Sequence, residues 1–375
     1  MATTVLNTTL IPGSGTSPSK IGTREDLVAC LRGCHVRIPD LQSLFTHWPQ
    51  YIHPQTDKLE EHVQKSLKAI LPKPEEENRL AKMKLGEFAL FTASWWAYAP
   101  FEVLCVAATL SIWLFIWDDE IDSSEFSSLI DDFDSASKFR QETIEFLRSS
   151  LSTQLPPDSS TLCDNPIIKG FKPVGDALKA SYNERQLNTV FKEIAFFVNM
   201  CEEEHKTQVK AALPTVEEYM KRRMGSSAVR ICLAIHEYAT GVTIPDEIMQ
   251  SDLMERIWHE INIIISTVND VLSIKKELAN SQADTLIPLL FLESKSAQTA
   301  VDEAVLMISR SIARLEATES EMMDSYSASS ETQDMLRVYI EACKIACTGN
   351  LNWSLLSGRY QIHCTSTANG LEVVL

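Results

Sequence analysis

The chain has 375 residues, 45% of them hydrophobic, and a formal net charge of −17 at pH 7. This length and apolar content are sufficient for a large core within one domain. The acidic balance argues against nucleic acid as a partner, because phosphate contacts need a basic surface. Only 12 Gly and 15 Pro occur, which favours long uninterrupted helices over a protein of strands and turns.

The N-terminal region is predicted to be a disordered leader over residues 1–20. It is rich in Thr, Ser, Gly and Pro, and it lacks a basic region followed by an apolar one, as a secretory signal would have. The 9 Cys form an odd number without a convincing zinc-binding set, so free thiols in a reducing, cytoplasmic compartment are expected. No membrane span is expected, because the best apolar stretch, 93–117, is interrupted by Pro100 and Glu102.

Apolar residues recur with helical spacing along most of the remaining chain. The stretch 36–40, which contains Pro39, is interpreted as a loop or short turn, and the tail over 365–375 is predicted to be flexible. Predicted helices cover 57–70, 75–98, 102–122, 135–150, 173–185, 187–212, 216–225, 227–241, 246–279, 285–292, 296–327 and 332–359. No strand-like alternation persists. The pattern predicts a single all-α domain over residues 21–364, with helices around a central apolar cavity.

Two short acidic runs carry most of the functional information. The first, Trp117-Asp118-Asp119-Glu120-Ile121-Asp122, ends a long apolar helix. Asp118 and Asp122 are four apart and share one helix face. Mg²⁺ prefers carboxylate and water oxygens and is commonly shared with substrate phosphates. Taken alone, this run also fits a solvated acidic turn.

The second run places Asn269, Ser273 and Glu277 at intervals of four residues after another mostly apolar stretch, 261–268. An amide, a hydroxyl and a carboxylate on one helix face can form a single Mg²⁺ site. Lys276, beside Glu277, could donate to a phosphate. Two such helices facing each other predict a cup for several Mg²⁺ ions that hold a diphosphate. The chain is therefore interpreted as an enzyme that ionises an allylic diphosphate.

These motifs resemble those of the class I terpene synthases of fungi and bacteria. The DDxxD motif of that family is matched by Asp118, Asp119 and Asp122, and its NSE motif by Asn269, Ser273 and Glu277, with Lys276 before the Glu. Arg223 stands 46 residues before Asn269, at the place of the family's diphosphate-sensing arginine. Arg359-Tyr360 matches its C-terminal Arg-Tyr pair. The resemblance spans residues 118 to 360.

The resemblance implies a class I terpenoid synthase helical bundle around a central apolar active-site cavity. It implies three Mg²⁺ ions, with Mn²⁺ as a substitute, held by Asp118, Asp122, Asn269, Ser273 and Glu277. Arg223, Lys276, Arg359 and Tyr360 would bind the diphosphate of a linear prenyl substrate. Farnesyl diphosphate is the expected substrate, with cyclisation to a sesquiterpene and release of diphosphate.

A helix break follows the sensor arginine in this family, often with Gly at the fourth position after it. Here Gly225 stands earlier, and Ser226 and Ser227 occupy the positions of the linker and of the residue whose carbonyl helps to trigger ionisation. Aromatic rings can stabilise a passing cation. The candidates for this role are Phe91, Trp95, Trp113, Phe196 and Trp353, of which Trp353 matches a position where the family often has an aromatic residue.

Other functions stay open. A monoterpene or diterpene synthase of the same family would use a shorter or longer prenyl diphosphate. A chain-elongating prenyl transferase would carry a second DDxxD motif, whereas the acidic stretch 131–134 has the wrong spacing. A non-catalytic helical protein that binds an isoprenoid is a third alternative. Both a monomer and a homodimer are compatible with the sequence.

Overall fold

The computed structural model describes residues 22–123, 125–153, 163–208, 210, 212–360, 365–367 and 370–375. The predicted leader over 1–20 lies outside the described residues. The helices are α1 (Arg24–Leu31), α2 (Thr56–Ile70), α3 (Glu77–Lys84), α4 (Phe88–Trp95), α5 (Phe101–Asp122), α6 (Phe133–Leu151), α7 (Pro166–Lys169), α8 (Lys172–Ser181), α9 (Glu184–Gln208), α10 (Val216–Ser226), α11 (Val229–Ala234), α12 (His236–Thr240), α13 (Asp246–Met249), α14 (Asp252–Ala279), α15 (Leu286–Ser294), α16 (Ala297–Ser325) and α17 (Ser330–Leu356). The strands are β1 (His35–Pro39), β2 (Thr365–Thr367) and β3 (Gly370–Val374).

The helices pack around one continuous apolar core, which confirms the predicted all-α bundle. Helix α14 lies along α16 and also contacts α11, α15 and α17. Helix α5 packs against α2, α4 and α8, and α17 packs against α4, α12 and α14. Burial of apolar surface at about 25 cal/mol per Å² makes these contacts the main stabilising contribution.

Helix α5 is unusually apolar before it reaches its acidic end. Its side chains are mostly buried from Leu104 to Trp117. By length and composition it is the one described helix that could cross a membrane, and 61% of its apolar window is buried inside the protein. Burial of that kind is typical of a core helix, so the packing explains the apolar sequence without a membrane.

A small sheet corrects two predictions at the chain ends. The stretch 36–40, interpreted as a loop, lies largely in β1, which pairs antiparallel with β3 from His35↔Val374 to Pro39↔Gly370. The predicted flexible tail is therefore wrong for 370–374. Both strands are too short for a clear alternation, and each is stabilised by a partner at the other end of the chain. Gly370 is required there, because its φ is +125° and a Cβ would lie 2.2 Å from the carbonyl oxygen of Ile38.

The sheet is attached to the helical core through its β1 edge. The side-chain amide of Gln298, on α16, accepts from the Arg37 backbone N–H at 2.7 Å and donates to the Arg37 carbonyl at 2.9 Å. These two bonds replace those that a further strand would make, so this edge of the sheet is not left unpaired at Arg37.

Candidate active site

Several helices end at the same face of the bundle and bring the sequence motifs together. Arg223, near the end of α10, donates to Asn269 of α14, and Asn269 donates to Tyr360, which follows α17. Gln208, the last residue of α9, donates to Asp122, the last residue of α5. The C-terminal ends of α5, α9 and α10 carry partial negative charge, which favours cations in the space between them.

The residues of the first acidic run have different partners: some face the site, and one forms a structural ion pair. Asp122 accepts from the amides of Gln208 at 3.2 Å and of Gln282 at 3.4 Å. Glu120 instead pairs with the buried guanidinium of Arg79 at 2.5 Å. Only part of the acidic run is therefore available for chemistry at the site.

Burial and neighbouring negative charges disfavour the charged form of two carboxyls of the first run, Asp118 and Asp122. Burial, followed by the negative charges of Asp122 and Asp119, raises the pKa of Asp118 well above its usual range. Burial and the charge of Glu204, on α9, raise the pKa of Asp122 to about 7. Asp118 and Asp122 nevertheless keep some accessible surface. Such a concentration of negative charge favours the binding of a cation.

The second run lies along α14. The hydroxyl of Ser273 donates to Glu277 Oε1 at 2.5 Å. Apart from the neighbouring Thr285 hydroxyl, the buried Oε2 atom of Glu277 has no hydrogen-bond partner among the described residues. Burial, followed by the charge of Asp270, raises the pKa of Glu277 to about 7. Asn269, Ser273 and Glu277 thus present three hard oxygen donors on one helix face.

Asp270 is separate from that face and is fully paired. Its carboxylate is buried and accepts from the hydroxyl of Tyr219 at 2.7 Å and from Arg223 Nη2 at 2.9 Å. The same nitrogen lies 2.7 Å from Asn269 Oδ1. Asp270 therefore balances the charge of Arg223 and holds its guanidinium against the second run.

Two further cations face the site from α14 and from the segment after α17. The positive charge of Arg359, followed by burial, lowers the pKa of Lys276 to about 8. Arg359 lies over the ring of Phe115, 4.5 Å from its centroid, which is a cation–π contact. Lys276 and Arg359 are therefore close enough to repel each other, and an anion between them would relieve that repulsion.

Aromatic rings pack on one another beside these cations. The Trp353 ring lies 4.9 Å from Phe91, 5.9 Å from Phe115 and 5.6 Å from Tyr360, between centroids. Its indole N–H donates to the carbonyl of Gly86 at 2.7 Å. Trp353 therefore lies between Phe91 and Tyr360 and contacts both.

Trp113 lies elsewhere in the core. Its indole N–H donates to the Ile167 carbonyl at 2.9 Å, and its ring packs against Phe171 and Trp117. Apart from Trp117, which begins the first run, none of its described partners belongs to the two runs, and none is a metal-ligand or diphosphate-binding candidate. The structure therefore does not bring Trp113 to the candidate site. Phe115, two residues further along α5, takes the place that the sequence hypothesis assigned to Trp113.

The expected helix break after Arg223 is present. Helix α10 ends at Ser226, Ala228 has a φ of +59°, and α11 begins at Val229. The hydroxyl of Ser227 donates to Asn262 Oδ1 at 3.0 Å, and Asn262 Nδ2 donates to the Met224 carbonyl at 2.8 Å. A single buried amide of α14 therefore binds both the last turn of α10 and the first residue of the break.

Sequence reasoning missed Glu204, Gln208, Gln282, Phe115 and Asn262. Glu204 and Gln208 are four apart on α9, and this spacing was the one available signal that they share a face. No spacing relates them to Asp122, because the relation depends on how α9 packs against the end of α5. Gln282 lies beyond the second run, in a segment without a recognisable pattern.

Comparisons with known proteins show the family of the chain. Residues 109–314 match the family described as "Terpene synthase family 2, C-terminal metal binding". "Sesquiterpene cyclase hepA" of Aspergillus oryzae is 30% identical over 332 residues, which cover 86% of this chain and 88% of the relative. "Terpene cyclase braA" of Annulohypoxylon truncatum is 26% identical and covers 91% of this chain and 90% of its own.

Solved structures show the same fold at lower identity. The crystal structure of "a-eudesmol synthase" aligns with a TM-score of 0.71 at 19% identity, covering 82% of this chain and 97% of that one. Germacradien-4-ol synthase from Streptomyces citricolor aligns with a TM-score of 0.68 at 16% identity, covering 83% and 97%. The fold and the match of more than half the chain define an all-α enzyme with a metal-binding region. The chain belongs to the class I terpene synthase family.

Proposed function

We propose that the chain ionises farnesyl diphosphate with Mg²⁺ and cyclises the resulting cation to a sesquiterpene, releasing diphosphate. The observation that carries this proposal is the network of Arg223, Asn269 and Tyr360. It joins three motifs that lie 46 and 91 residues apart in the chain. The name of the Aspergillus oryzae relative supports a sesquiterpene product and therefore farnesyl diphosphate as the substrate.

The oxygen donors of both runs fit Mg²⁺ that is shared with substrate. Among the described residues, no three His, Cys, Asp or Glu side chains form a metal site by themselves. Mg²⁺ typically takes one or two protein carboxylates and completes its shell with water and phosphate oxygens. Asp118 with Asp122, and Glu277 with Asn269 and Ser273, match that requirement. The buried Glu277 Oε2 atom, which has no partner among the described residues apart from the Thr285 hydroxyl, supports the second set.

When bound, divalent ions would neutralise the diphosphate and stabilise the charge on the leaving group. The side chains of the protein orient the diphosphate leaving group. Arg223, Lys276 and Arg359 are the cations we assign to the diphosphate, and the planar fork of Arg suits phosphate oxygens. The Tyr360 hydroxyl already accepts from Asn269, so its own proton is available for donation to the substrate.

The aromatic side chains beside the site control the fate of the cation. Phe91 and Trp353 are almost completely buried and pack edge to face, and Phe115 lies beside them. Their π faces can stabilise passing positive charge by about 0.5–2 kcal/mol each. They also exclude water, which would trap the cation early. Ser226 and Ser227, at the helix break, are proposed to link movement of Arg223 to the start of ionisation.

We place the reaction in the cytoplasm. Cys343 and Cys347, four apart on α17, are both buried thiols, which supports a reducing compartment. The proposed chemistry is compatible with both a monomer and a homodimer, because all the residues assigned to it lie on one chain.

The test is incubation of the purified protein with geranyl, farnesyl or geranylgeranyl diphosphate, each with Mg²⁺ and with EDTA. Gas chromatography with mass spectrometry identifies volatile products, and a coupled assay measures released pyrophosphate. We expect a cyclic sesquiterpene from farnesyl diphosphate and no turnover in EDTA. If only another prenyl diphosphate is turned over efficiently, the assignment of farnesyl diphosphate as the substrate is wrong. If a longer diphosphate forms with added isopentenyl diphosphate, or if there is no turnover at all, the proposed cyclisation is wrong.

A further inference from the structure

Asp122 is held from two sides by neutral amides. Gln208 Nε2 lies 3.2 Å from Oδ1, and Gln282 Nε2 lies 3.4 Å from Oδ2. Each carboxylate oxygen offers two lone pairs, and one amide occupies one of them on each oxygen. The plane of the carboxylate is therefore determined by contacts outside its own helix, while each oxygen keeps a lone pair for another ligand.

The second amide also connects the two acidic runs. Gln282 follows α14 by three residues, and its backbone N–H donates to the Glu277 carbonyl at 2.9 Å. The position of Gln282 is thereby tied to the end of the second run. Its side chain reaches Asp122 at the end of the first run. Gln282 therefore contacts the end of each run.

Arg24, on α1, links the segments that carry the two glutamines. Its guanidinium donates to the Asp284 carboxylate at 2.7 Å and 2.9 Å, two residues after Gln282. It also donates to the carbonyls of Thr207 at 3.0 Å and Lys210 at 2.5 Å, on either side of Gln208. One planar, five-donor side chain thus fixes the distance between the segments.

The choice of Gln at both positions has an electrostatic reason. A Lys or Arg would orient Asp122 equally well, but its charge would oppose binding of a divalent cation at the same carboxylate. A Glu would add repulsion to a carboxyl whose charged form is already disfavoured by burial and Glu204. A neutral donor orients the carboxylate and leaves its net charge unchanged.

We propose that Gln208 and Gln282 are positioning residues, which orient the Asp122 carboxylate for metal binding and couple the two acidic runs. This inference rests on the proposed function, because it assigns Asp122 to the metal. Neither residue belongs to the motifs on which the family resemblance depends.

The test compares Gln208→Met, Gln282→Met and the double variant with the wild type. Methionine keeps the length of the side chain and removes the amide. Binding of Mn²⁺ in the presence of inorganic pyrophosphate is measured by electron paramagnetic resonance. The Mg²⁺ dependence of turnover is measured at saturating farnesyl diphosphate.

We expect the half-saturating metal concentration to rise about three- to tenfold in each single variant and further in the double variant, because one hydrogen bond is lost at each position. Turnover at saturating Mg²⁺ should stay within about twofold of the wild type, which separates positioning from catalysis.

Gln298→Met is the matched control. It removes an amide that makes two bonds to the Arg37 backbone, in the sheet. It should lower the melting temperature and leave the metal dependence unchanged. Wild-type metal dependence in the folded double variant would overturn the inference, as would an equal shift in Gln298→Met. If the wild type turns over no prenyl diphosphate, the proposed function fails, while Mn²⁺ affinity with pyrophosphate still tests the two glutamines.

Discussion

Asn269 donates from its amide nitrogen to the hydroxyl oxygen of Tyr360 at 2.7 Å, although 91 residues separate them. The amide oxygen of Asn269 accepts from Arg223 at 2.7 Å. An amide oxygen has two lone pairs, so one remains for a metal ion while Arg223 holds the other. The orientation of the first donor of the second run is thus decided by residues outside that run.

Tyr360→Phe tests this relationship directly. The variant keeps the ring that packs on Trp353 and removes the hydroxyl that Asn269 uses. We expect kcat/KM to fall about tenfold, since one buried hydrogen bond contributes roughly 1 kcal/mol and the hydroxyl is also assigned to the diphosphate. Pyrophosphate release kinetics provide the measurement. Tyr182→Phe is the control, because its buried hydroxyl bonds to Ala234 and Tyr238, outside the site. Equal loss of activity in both variants would count against a specific role for Tyr360.

Asp118→Asn should lower the activity of the protein and raise its stability. Turnover should fall at least about a hundredfold, because a metal-ligating carboxylate is lost. The melting temperature in metal-free buffer should rise, because the variant removes a carboxyl whose charged form is disfavoured by burial and by the charges of Asp122 and Asp119. Calorimetry and pyrophosphate release give the two readings, and Asp131→Asn, at an exposed position, is the control. Unchanged turnover would remove Asp118 from the metal site.

Trp353→Phe is expected to change the products more than the rate. Alanine at this fully buried position would leave a large cavity and cost about 3–5 kcal/mol, so phenylalanine is the better choice. Phe keeps an aromatic wall beside Phe91 and Tyr360 but loses the bond to Gly86. Product ratios are measured by gas chromatography. Trp258→Phe, which loses a comparable bond to Tyr339, should leave the ratios unchanged. The same ratios in Trp353→Phe as in the wild type would assign Trp353 to the core alone.

His236 should make folding stability depend on pH. Burial lowers its pKa to about 4 from the ordinary 6.5. The unfolded chain therefore takes up the proton first, so the stabilising contribution is present above pH 6.5 and is lost as the pH falls towards 4. Between pH 7 and pH 5 this amounts to about 2 kcal/mol. Denaturant unfolding of His236→Gln should show a weaker decline over this interval than the wild type. His259→Gln, at an exposed position, should follow the wild type, and a parallel decline in all three proteins would contradict the prediction.

Gly349→Ala tests the contact of α17 with α4, which positions the segment before Trp353. An added Cβ would lie 2.4 Å from the Ser94 carbonyl oxygen, so the two helices would have to separate. We expect a net loss of about 1–2 kcal/mol in the free energy of unfolding, as overpacking outweighs the higher helix propensity of Ala. Gly22→Ala, where a Cβ meets nothing within 4 Å, is the control. A stability equal to that of the wild type would show that the helices adjust without cost.

Local pattern was sufficient for much of the fold. The apolar spacing and the rarity of Gly and Pro predicted the long helices, and α5 and α14 end close to their predicted bounds. The sheet was missed because β1 and β3 are short and each needs the other, at the opposite end of the chain. The acidic stretch 131–134 lies at the start of α6, where Asp132 caps the helix by accepting from the Ser135 N–H at 3.0 Å.

By itself, the sequence indicated the class of enzyme through the resemblance of its motifs to those of a known family. It also determined that the ligand types of each motif share one helix face, because residues four apart do so wherever the helix lies. The tertiary structure decided which other residues meet that face. Trp113 and Phe115 are two residues apart on α5 and therefore point about 200° apart around its axis. Only packing against α7 and α17 places Trp113 in the core and Phe115 beneath Arg359. Gln208 and Gln282 contact Asp122 for the same reason. Their positions depend on how the helices pack and on the path of the loops, and the spacing of residues along the chain predicts neither contact.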